Sequence, residues 1–298
     1  MISIIISSAN AKYLKDIHQN IEETIGVPFE IISTDNSNGV RGICAVYNEA
    51  ANKASFDILC YMHEDLKMLT QKWGLKVVEK FKNDLRLGII GVVGSSYKPL
   101  APSGWGAASA LNHVYFSHYI QHYKHKEKAA HLIDVNPSGK TIENVACVDG
   151  MWFCTRKEIV SAYPFDQELL KGFHCYDIDF CLNVGRNFNV AVVFDILMEH
   201  FSEGSYNKSW IEDTIKIHKK WQKILPVSTV DIKEHEKENM EKRAFKMLFK
   251  KLKELGYTYG FARGTIDDAN KTGKLRSLLY YKLQFYLFKY FFIKYKKD

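Results

Sequence analysis

Among the 298 residues there is no C-x-x-C pair, no internal repeat, no low-complexity tract and no recognised nucleic-acid module. The six cysteines (Cys44, Cys60, Cys147, Cys154, Cys175, Cys181) fall mostly in apolar segments, where a thiol acts as a small hydrophobe, so they read as reduced and structural. The opening run Met1-Ile2-Ser3-Ile4-Ile5-Ile6 lacks both a basic n-region and a sufficiently long h-region, which makes it a first strand rather than a signal peptide. A cytoplasmic protein is the expectation. At 46% hydrophobic residues the composition is that of an ordinary globular chain, long enough for one large α/β domain with an appendage or for two domains. The net charge of +7 is unevenly spread: residues 240–298 hold 15 basic and 5 acidic residues, the rest 26 and 29.

Hydrophobic periodicity organises the first third. Ile2 to Ser7 and Phe29 to Ser33 are β-branched runs, and Tyr13 to Ile25 between them carries Leu14, Ile17, Ile21 and Ile25 at helical spacing. That is a βαβ unit, which builds a parallel sheet. Asp57 to Met62 and Leu87 to Val93 repeat the pattern around a helix over Gln71 to Lys82. Such sheets bind ligands beyond the carboxyl ends of their strands, which draws attention to Ser8, Asn10, Asp35, Asn36, His63 to Asp65, Ser95 and Ser96. Lys98 to Gly106 is rich in proline and glycine and reads as an irregular loop and candidate mobile lid. His118, His122, His125 and His131 sit among lysines that oppose a cation, so Ser117 to His131 is expected to be a solvated helical face. Val145 to Thr155, broken by Asp149-Gly150, is a further apolar run, and Val190 to Met198 a further strand leading into Glu199-His200. Polar composition around Pro226 to Glu238 marks a junction, dividing the chain into 1–225 and a helical extension at 226–298.

His63-Glu64-Asp65 follows the apolar run Ile58 to Met62, where a buried strand surfaces. Oxygens gathered there suit a divalent cation and the diphosphate it would neutralise, with Asp65 as the best ligand; loop solvation is the bland alternative. With Tyr61-Met62-His63-Glu64-Asp65-Leu66 and Trp73 come Leu87 to Gly94, Val148-Asp149-Gly150, Phe173-His174-Cys175-Tyr176-Asp177-Ile178-Asp179-Phe180-Cys181, His200-Phe201-Ser202-Glu203-Gly204-Ser205, Lys220-Trp221 and Leu225-Pro226. In that order these segments resemble the family 2 glycosyltransferases of GT-A fold, in particular a bacterial branch whose metal motif begins with His.

The resemblance implies a Rossmann-like, mostly parallel central sheet flanked by helices, and an inverting transfer of sugar from a nucleotide diphosphate, UDP foremost, to a glycan or lipid-linked acceptor in envelope polysaccharide synthesis. It implies that Asp177 is the general base, that His200 joins Asp65 at the metal or diphosphate, and that Asp35 bonds a pyrimidine base. Ser8, Asn10 and Asn48 become lesser nucleotide contacts. His63 and Glu64 belong to the donor site, with His63 at the position that lies near the ribose in relatives. Asp149 falls near the donor and acceptor sugars, and Ser205 in a loop that approaches phosphate. Mn2+ and Mg2+ both suit oxygen ligands with one imidazole, Mn2+ tolerating nitrogen better. Other readings stand beside these: His200 as a buried strand-end histidine, Asp177 as an N-cap, the Asp35 segment as a turn, Trp152 as core, and Trp105 as the better candidate for stacking on a sugar. Asp179 is assigned supporting hydrogen bonds.

Leu278 to Tyr295 is aromatic with Lys282, Lys289 and Lys296 spaced by seven. Lysines at mid-bilayer would cost about 2.5–3.5 kcal/mol each, so the segment is not expected to span a membrane. It fits a helix lying on an anionic surface at the inner face of the cytoplasmic membrane, or one packed on its own domain or in a homodimer. Competing functions are a sugar nucleotidylyltransferase, disfavoured because Ser7-Ser8-Ala9-Asn10-Ala11 is not a Gly- and Arg-rich loop, and a nucleotide-sugar-binding scaffold without turnover. Nucleic acid is not an expected partner.

Overall fold

The computed structural model describes residues 1–108, 114–124 and 128–293. In β1 (Ile2–Ser8) the side chains of Ile2, Ile4, Ile5 and Ile6 are fully buried. A strand covered on both faces belongs to the interior of an α/β sheet. The Asn10 side chain caps α1 (Ala11–Thr24), accepting the backbone N–H groups of Lys12 and Tyr13. This helix buries Ile17 and Ile21 and returns the chain to β2 (Phe29–Asp35), parallel to β1 with Ser8 opposite Asp35. After α2 (Ile43–Lys53), β3 (Ile58–Met62) pairs with the other edge of β1, again parallel.

There follow β4 (Leu66–Met68), α3 (Trp73–Asn83), β5 (Leu87–Gly91), β6 (Val93–Ser95) and β7 (Tyr97–Lys98). A 3-10 turn at Trp105–Ala108 leads to β8 (Tyr115–Gln121), β9 (His131–Val135), β10 (Ile142–Val145), β11 (Cys147–Val148) and β12 (Trp152–Arg156). The remainder comprises α4 (Lys157–Ala162), α5 (Tyr176–Val184), β13 (Asn189–Val193), β14 (Met198–His200), α6 (Lys208–Trp221), β15 (Val227–Ser228), α7 (Glu234–Glu254), α8 (Tyr259–Lys271) and α9 (Ser277–Phe292).

The main sheet has the order β10-β13-β5-β12-β3-β1-β2. β3 and β5 run the same way but are not neighbours, because β12 inserts antiparallel between them. A second sheet, β11-β6-β8-β14-β4 with β9 on β8, lies at its carboxyl edge. The expected single strand over Val190 to Met198 is therefore two strands in different sheets. The expected helical face over Ser117 to His131 is corrected as well: β8 and β9 form an antiparallel ladder, Ser117 opposite Val135 and Gln121 opposite His131. The alternation Phe116, His118, Ile120 against Ser117, Tyr119, Gln121 is a period of two, and histidine spacing masked it. His125 lies outside the described residues, as do Tyr295 and Lys296.

The expected lid is also different from its reading over 97–103, which is buried. Lys98 is fully buried and donates to the Ser103 carbonyl and hydroxyl, each at 3.0 Å, and to His218 Nε2 at 2.7 Å. Since that ring nitrogen accepts, His218 Nδ1 carries the proton and donates to the Leu100 carbonyl at 3.2 Å. Glu241 of α7 accepts from Tyr97 Oη, Leu100 N and Ala101 N, so the loop is clamped to the C-terminal helices. β15 pairs with β7 beside it. One hydrophobic cluster runs from Ile5, Tyr61 and Phe153 through Phe180 to Phe245, Phe249, Ile266, Leu283 and Leu287.

Candidate active site

The carboxyl ends of β2, β1 and β3 carry Asp35, Ser8 and His63 along one edge. Because β12 runs antiparallel to β3, with Trp152 opposite Met62, its amino end meets the same edge, and His63 N donates to the Met151 carbonyl at 2.9 Å. Asp149-Gly150 therefore lies beside His63. The chain then crosses into the second sheet: β4 pairs antiparallel with β14, His200 opposite Leu66, and Phe201 N donates to the Asp65 carbonyl at 3.0 Å. A three-residue ladder thus sets His200 next to Asp65 although 135 positions of sequence separate them.

Ligand atoms of His63, Asp65 and His200 all lie within 4.8 Å of one another. Asp65 Oδ1 is 4.0 Å from His63 Nδ1 and 3.8 Å from His200 Nε2, and Ser202 Oγ is 3.3 Å from the same His200 nitrogen. Burial alone would raise the Asp65 carboxyl; the two imidazoles and Ser202 overcome it and hold it below its ordinary value. Burial lowers His200, favouring the neutral imidazole, with Asp65 opposing the shift. Two imidazoles and one carboxylate facing a common point are a donor set for one divalent ion.

Tyr176 orients His63. Its hydroxyl has one proton, which goes to the Gly150 carbonyl at 3.0 Å, so at the 3.1 Å contact His63 Nε2 must be the donor. Nδ1, the nitrogen facing Asp65, is then left with its lone pair, as a ligand requires. Gly150 admits no side chain, since a Cβ there would overlap the Tyr176 hydroxyl.

Asp177 stands in the first turn of α5, whose N-cap is Cys175 in a left-handed conformation (φ 65°) with no side-chain cap. Asp177 Oδ2 accepts from Gly150 N at 3.0 Å and Oδ1 from Ile178 N at 2.8 Å. Its carboxyl is pushed up to about 7, by burial first and the neighbouring Asp149 second, with the two backbone donors limiting the rise. Asp149 accepts from Trp105 Nε1 at 2.6 Å and Met151 N at 2.8 Å. Asp177, Gly150, Tyr176 and His63 are thus joined by consecutive hydrogen bonds.

A glycosyltransferase-like family matches residues 3–226. The chain belongs to this family. No curated protein matches the sequence. Among solved structures, residues 1–349 of S. aureus TarS in complex with UDP superpose at a TM-score of 0.56 with 13% identity, over 99% of this chain and 93% of that one. The complex with UDP-GlcNAc gives 0.53 and 11% over 97% and 89%, and the TarS fragment alone 0.53 and 12% over 99% and 93%. At such identity the likeness establishes the fold, which is of the GT-A type.

The other residues singled out in this glycosyltransferase divide by what holds them. The Glu64 carboxylate accepts from Ser8 Oγ and from the backbone N–H groups of Ala9 and Asn10, tying the β3–β4 turn to the β1–α1 loop. Asp35 is exposed and accepts from Ser37 N at 2.9 Å, which holds its carboxyl below the ordinary value. The Asn48 amide donates to the Phe165 carbonyl and accepts from Phe165 N, away from the cluster. Ser205 is exposed in the loop after β14. Asp179 anchors α5 to α6, accepting from Trp221 Nε1 at 2.7 Å and Lys220 Nζ at 2.9 Å. Trp152 is fully buried, whereas Trp105 is half-buried and stacked on Tyr115 at 5.8 Å. Three side chains were not assigned roles from the sequence: Tyr176, the 52% exposed Phe173 with its ring 5.8 Å from that of His63, and Lys124, whose charge acts on both Asp65 and His200. Only an aromatic or basic residue type marks them in the sequence; their place depends on contacts between segments far apart along the chain.

Proposed function

We propose that this glycosyltransferase is divalent-metal-dependent and inverting, and moves a sugar from a UDP donor to a hydroxyl of a glycan or lipid-linked acceptor in envelope polysaccharide synthesis. The convergence of His63, Asp65 and His200 beside a half-buried Asp177, at the carboxyl edge of a GT-A sheet, carries the reading. His63, Asp65 and His200 would hold the ion, which when bound neutralises the negative charge of a leaving diphosphate. Two nitrogens in the donor set favour Mn2+ over Mg2+. Asp35, Ser8 and the loop fixed by Glu64 and Asn10 would flank the nucleotide, and Ser205 and Lys124 would face the diphosphate, while Asn48, bonded to the Phe165 backbone, is left out of the donor site.

Asp177 takes the proton of the acceptor hydroxyl as its oxygen attacks the anomeric carbon. The new C–O bond forms on the face opposite the departing UDP, and the bond to the β-phosphate oxygen breaks, so configuration inverts. A carboxyl poised near neutrality suits a base that must be ionised before attack and protonated after it. Asp149 orients Trp105, whose exposed part can line the sugar site. TarS binds UDP and UDP-GlcNAc, which supports UDP here without fixing the sugar. The catalytic unit is placed at 1–225, with 226–298 as an appended helical region.

A thermal-shift screen of UDP-sugars with Mn2+ identifies the donor, because a ligand bound only by the folded state raises its melting point. UDP release is then measured with and without chelator. It should require metal and vanish in Asp65→Ala and Asp177→Asn; release that persists in both variants, or in chelator, refutes the proposal.

A further inference from the structure

Helix α9 is apolar on two opposite sides. Leu279, Leu283 and Leu287 are buried against the body of the protein. Leu278, Tyr281, Phe285, Phe288 and Phe292, at alternating spacings of three and four, form a row on the other side that is 48–68% exposed. Contiguous exposed aromatic surface of this kind marks an interaction site rather than ordinary surface.

The flank of this row is cationic. Lys289 Nζ lies 4.5 Å over the Phe285 ring, and Lys282 precedes it by two turns. Alongside, α7 carries Lys242, Lys246, Lys250 and Lys253 on one stripe, with Lys246 Nζ 4.3 Å over Tyr286 and Lys253 Nζ 4.8 Å over Tyr290. Between the two helices runs a groove of about 340 Å³ lined by Lys242, Lys246, Lys250, Tyr286 and Tyr290. Among the described residues, Glu254 at 3.9 Å from Lys250 is the one carboxylate paired with this stripe.

We propose that the α7–α9 face docks on an anionic lipid bilayer, the aromatic row entering the interface and the lysine stripe meeting headgroup phosphates. Charge decides the occupant. A second copy placed face to face would bring two lysine stripes together, whereas anionic headgroups neutralise one. Lysines whose methylene stems lie along aromatic rings keep their ammonium groups at the polar boundary, and tyrosines beside phenylalanines suit the same boundary. Among the described residues no helix is long and apolar enough to cross a membrane, which fits a helix lying in the interface. The surface is independent of the transfer reading and would outlive its failure.

The test is co-sedimentation of the full chain with phosphatidylcholine vesicles containing roughly one-third phosphatidylglycerol, against phosphatidylcholine alone. The protein should pellet with the anionic vesicles only. Tyr281→Ser/Phe285→Ser/Phe288→Ser and, separately, Lys242→Glu/Lys246→Glu/Lys250→Glu spare the buried leucines; each should cut partitioning by at least about a hundred-fold. Thermal unfolding of the same samples, with a midpoint unchanged from wild type, reports that the fold is intact whether or not the transfer reading holds. Equal pelleting of wild type and both variants overturns the proposal. So does failure of the wild type to bind anionic vesicles, or a dimer in light scattering that the aromatic substitutions dissolve.

Discussion

Ionisation of Asp177 serves the proposed reaction and costs the fold, and the two effects have opposite signs. With its carboxyl pushed up to about 7 by burial and by Asp149, the ionised fraction is half at neutrality and falls about tenfold per pH unit below it. UDP release under saturating Mn2+ should follow that limb. Asp177→Asn should lower kcat by about 10²–10⁴-fold and abolish the limb, while Asp149→Asn, by removing the neighbouring charge, should move its midpoint to lower pH. Stability goes the other way. The folded carboxyl binds its proton more tightly than the unfolded one, so the penalty is absent below about pH 4, grows toward 7 and is complete above it. The rise from 3.8 to about 7 sets a ceiling of about 4 kcal/mol. Asp177 keeps some solvent contact, and an asparagine retains one acceptor oxygen where the carboxylate offers two, a loss of about 1–3 kcal/mol. The net expectation is that Asp177→Asn is more stable than wild type by about 1–2 kcal/mol near pH 8 and shows no gain near pH 4. Urea melts at the two pH values check this. A flat pH–rate profile, or an asparagine variant that loses stability near pH 8, would refute the reasoning.

Removing the proposed ligand His63 in His63→Ala should weaken Mn2+ binding, read by metal-dependent thermal shift, by at least the ten- to hundred-fold that loss of even an outer-sphere partner costs; Tyr176→Phe, which keeps the ring but removes the acceptor of His63 Nε2–H, should produce a smaller loss in the same assay. Glu241→Ala deprives Tyr97 Oη, Leu100 N and Ala101 N of their buried acceptor, and should cost at least about 3 kcal/mol in denaturant unfolding.

Local signals were strong where one segment determines its own state. The spacing of Leu14, Ile17 and Ile21 between two β-branched runs suffices for β1-α1-β2, and hydrophobic runs ending in Ser8, Asp35 and His63 mark the binding edge because a buried parallel strand must stop where its residues turn polar. Long-range pairing was not legible. Nothing within Trp152 to Arg156 announces that it inserts between β3 and β5, and in Val190 to His200 only Asp195 interrupts the apolar run where the chain changes sheets, a single polar residue that an unbroken strand could equally carry. The same limit applies to the site. Asp65, His200 and Asp177 were nameable from motif order, but the ring of His63 joins the cluster only because Tyr176 and Gly150 hold it, and that relation appears only when β12 lies against β3. The tail was read as either membrane-facing or self-packed; its buried leucine side packs on the body of the protein, and its exposed aromatic side is left for the proposed membrane contact, on opposite faces of one helix.

Glu64 lies between two of the proposed metal ligands yet faces away from them. Within the turn between β3 and β4, the His63 and Asp65 side chains gather with His200 while the Glu64 carboxylate reaches Ser8 Oγ, Ala9 N and Asn10 N. Its carboxylate therefore acts as a strut whose far end is the N-terminus of α1. In Glu64→Ala those three donors lose their acceptor, but the position is partly exposed and water replaces some of it, so the stability cost should be modest, about 1–2 kcal/mol. The functional cost should appear in the cluster: with the turn released, Mn2+ affinity falls even though no ligand has been removed, and UDP affinity falls with it only when the metal is present. A direct nucleotide contact by Glu64 predicts another pattern, weakened UDP binding in chelator with Mn2+ affinity untouched. Calorimetric titration of Mn2+ and of UDP, each with and without the other, separates the two, and unchanged Mn2+ affinity in Glu64→Ala would exclude the strut.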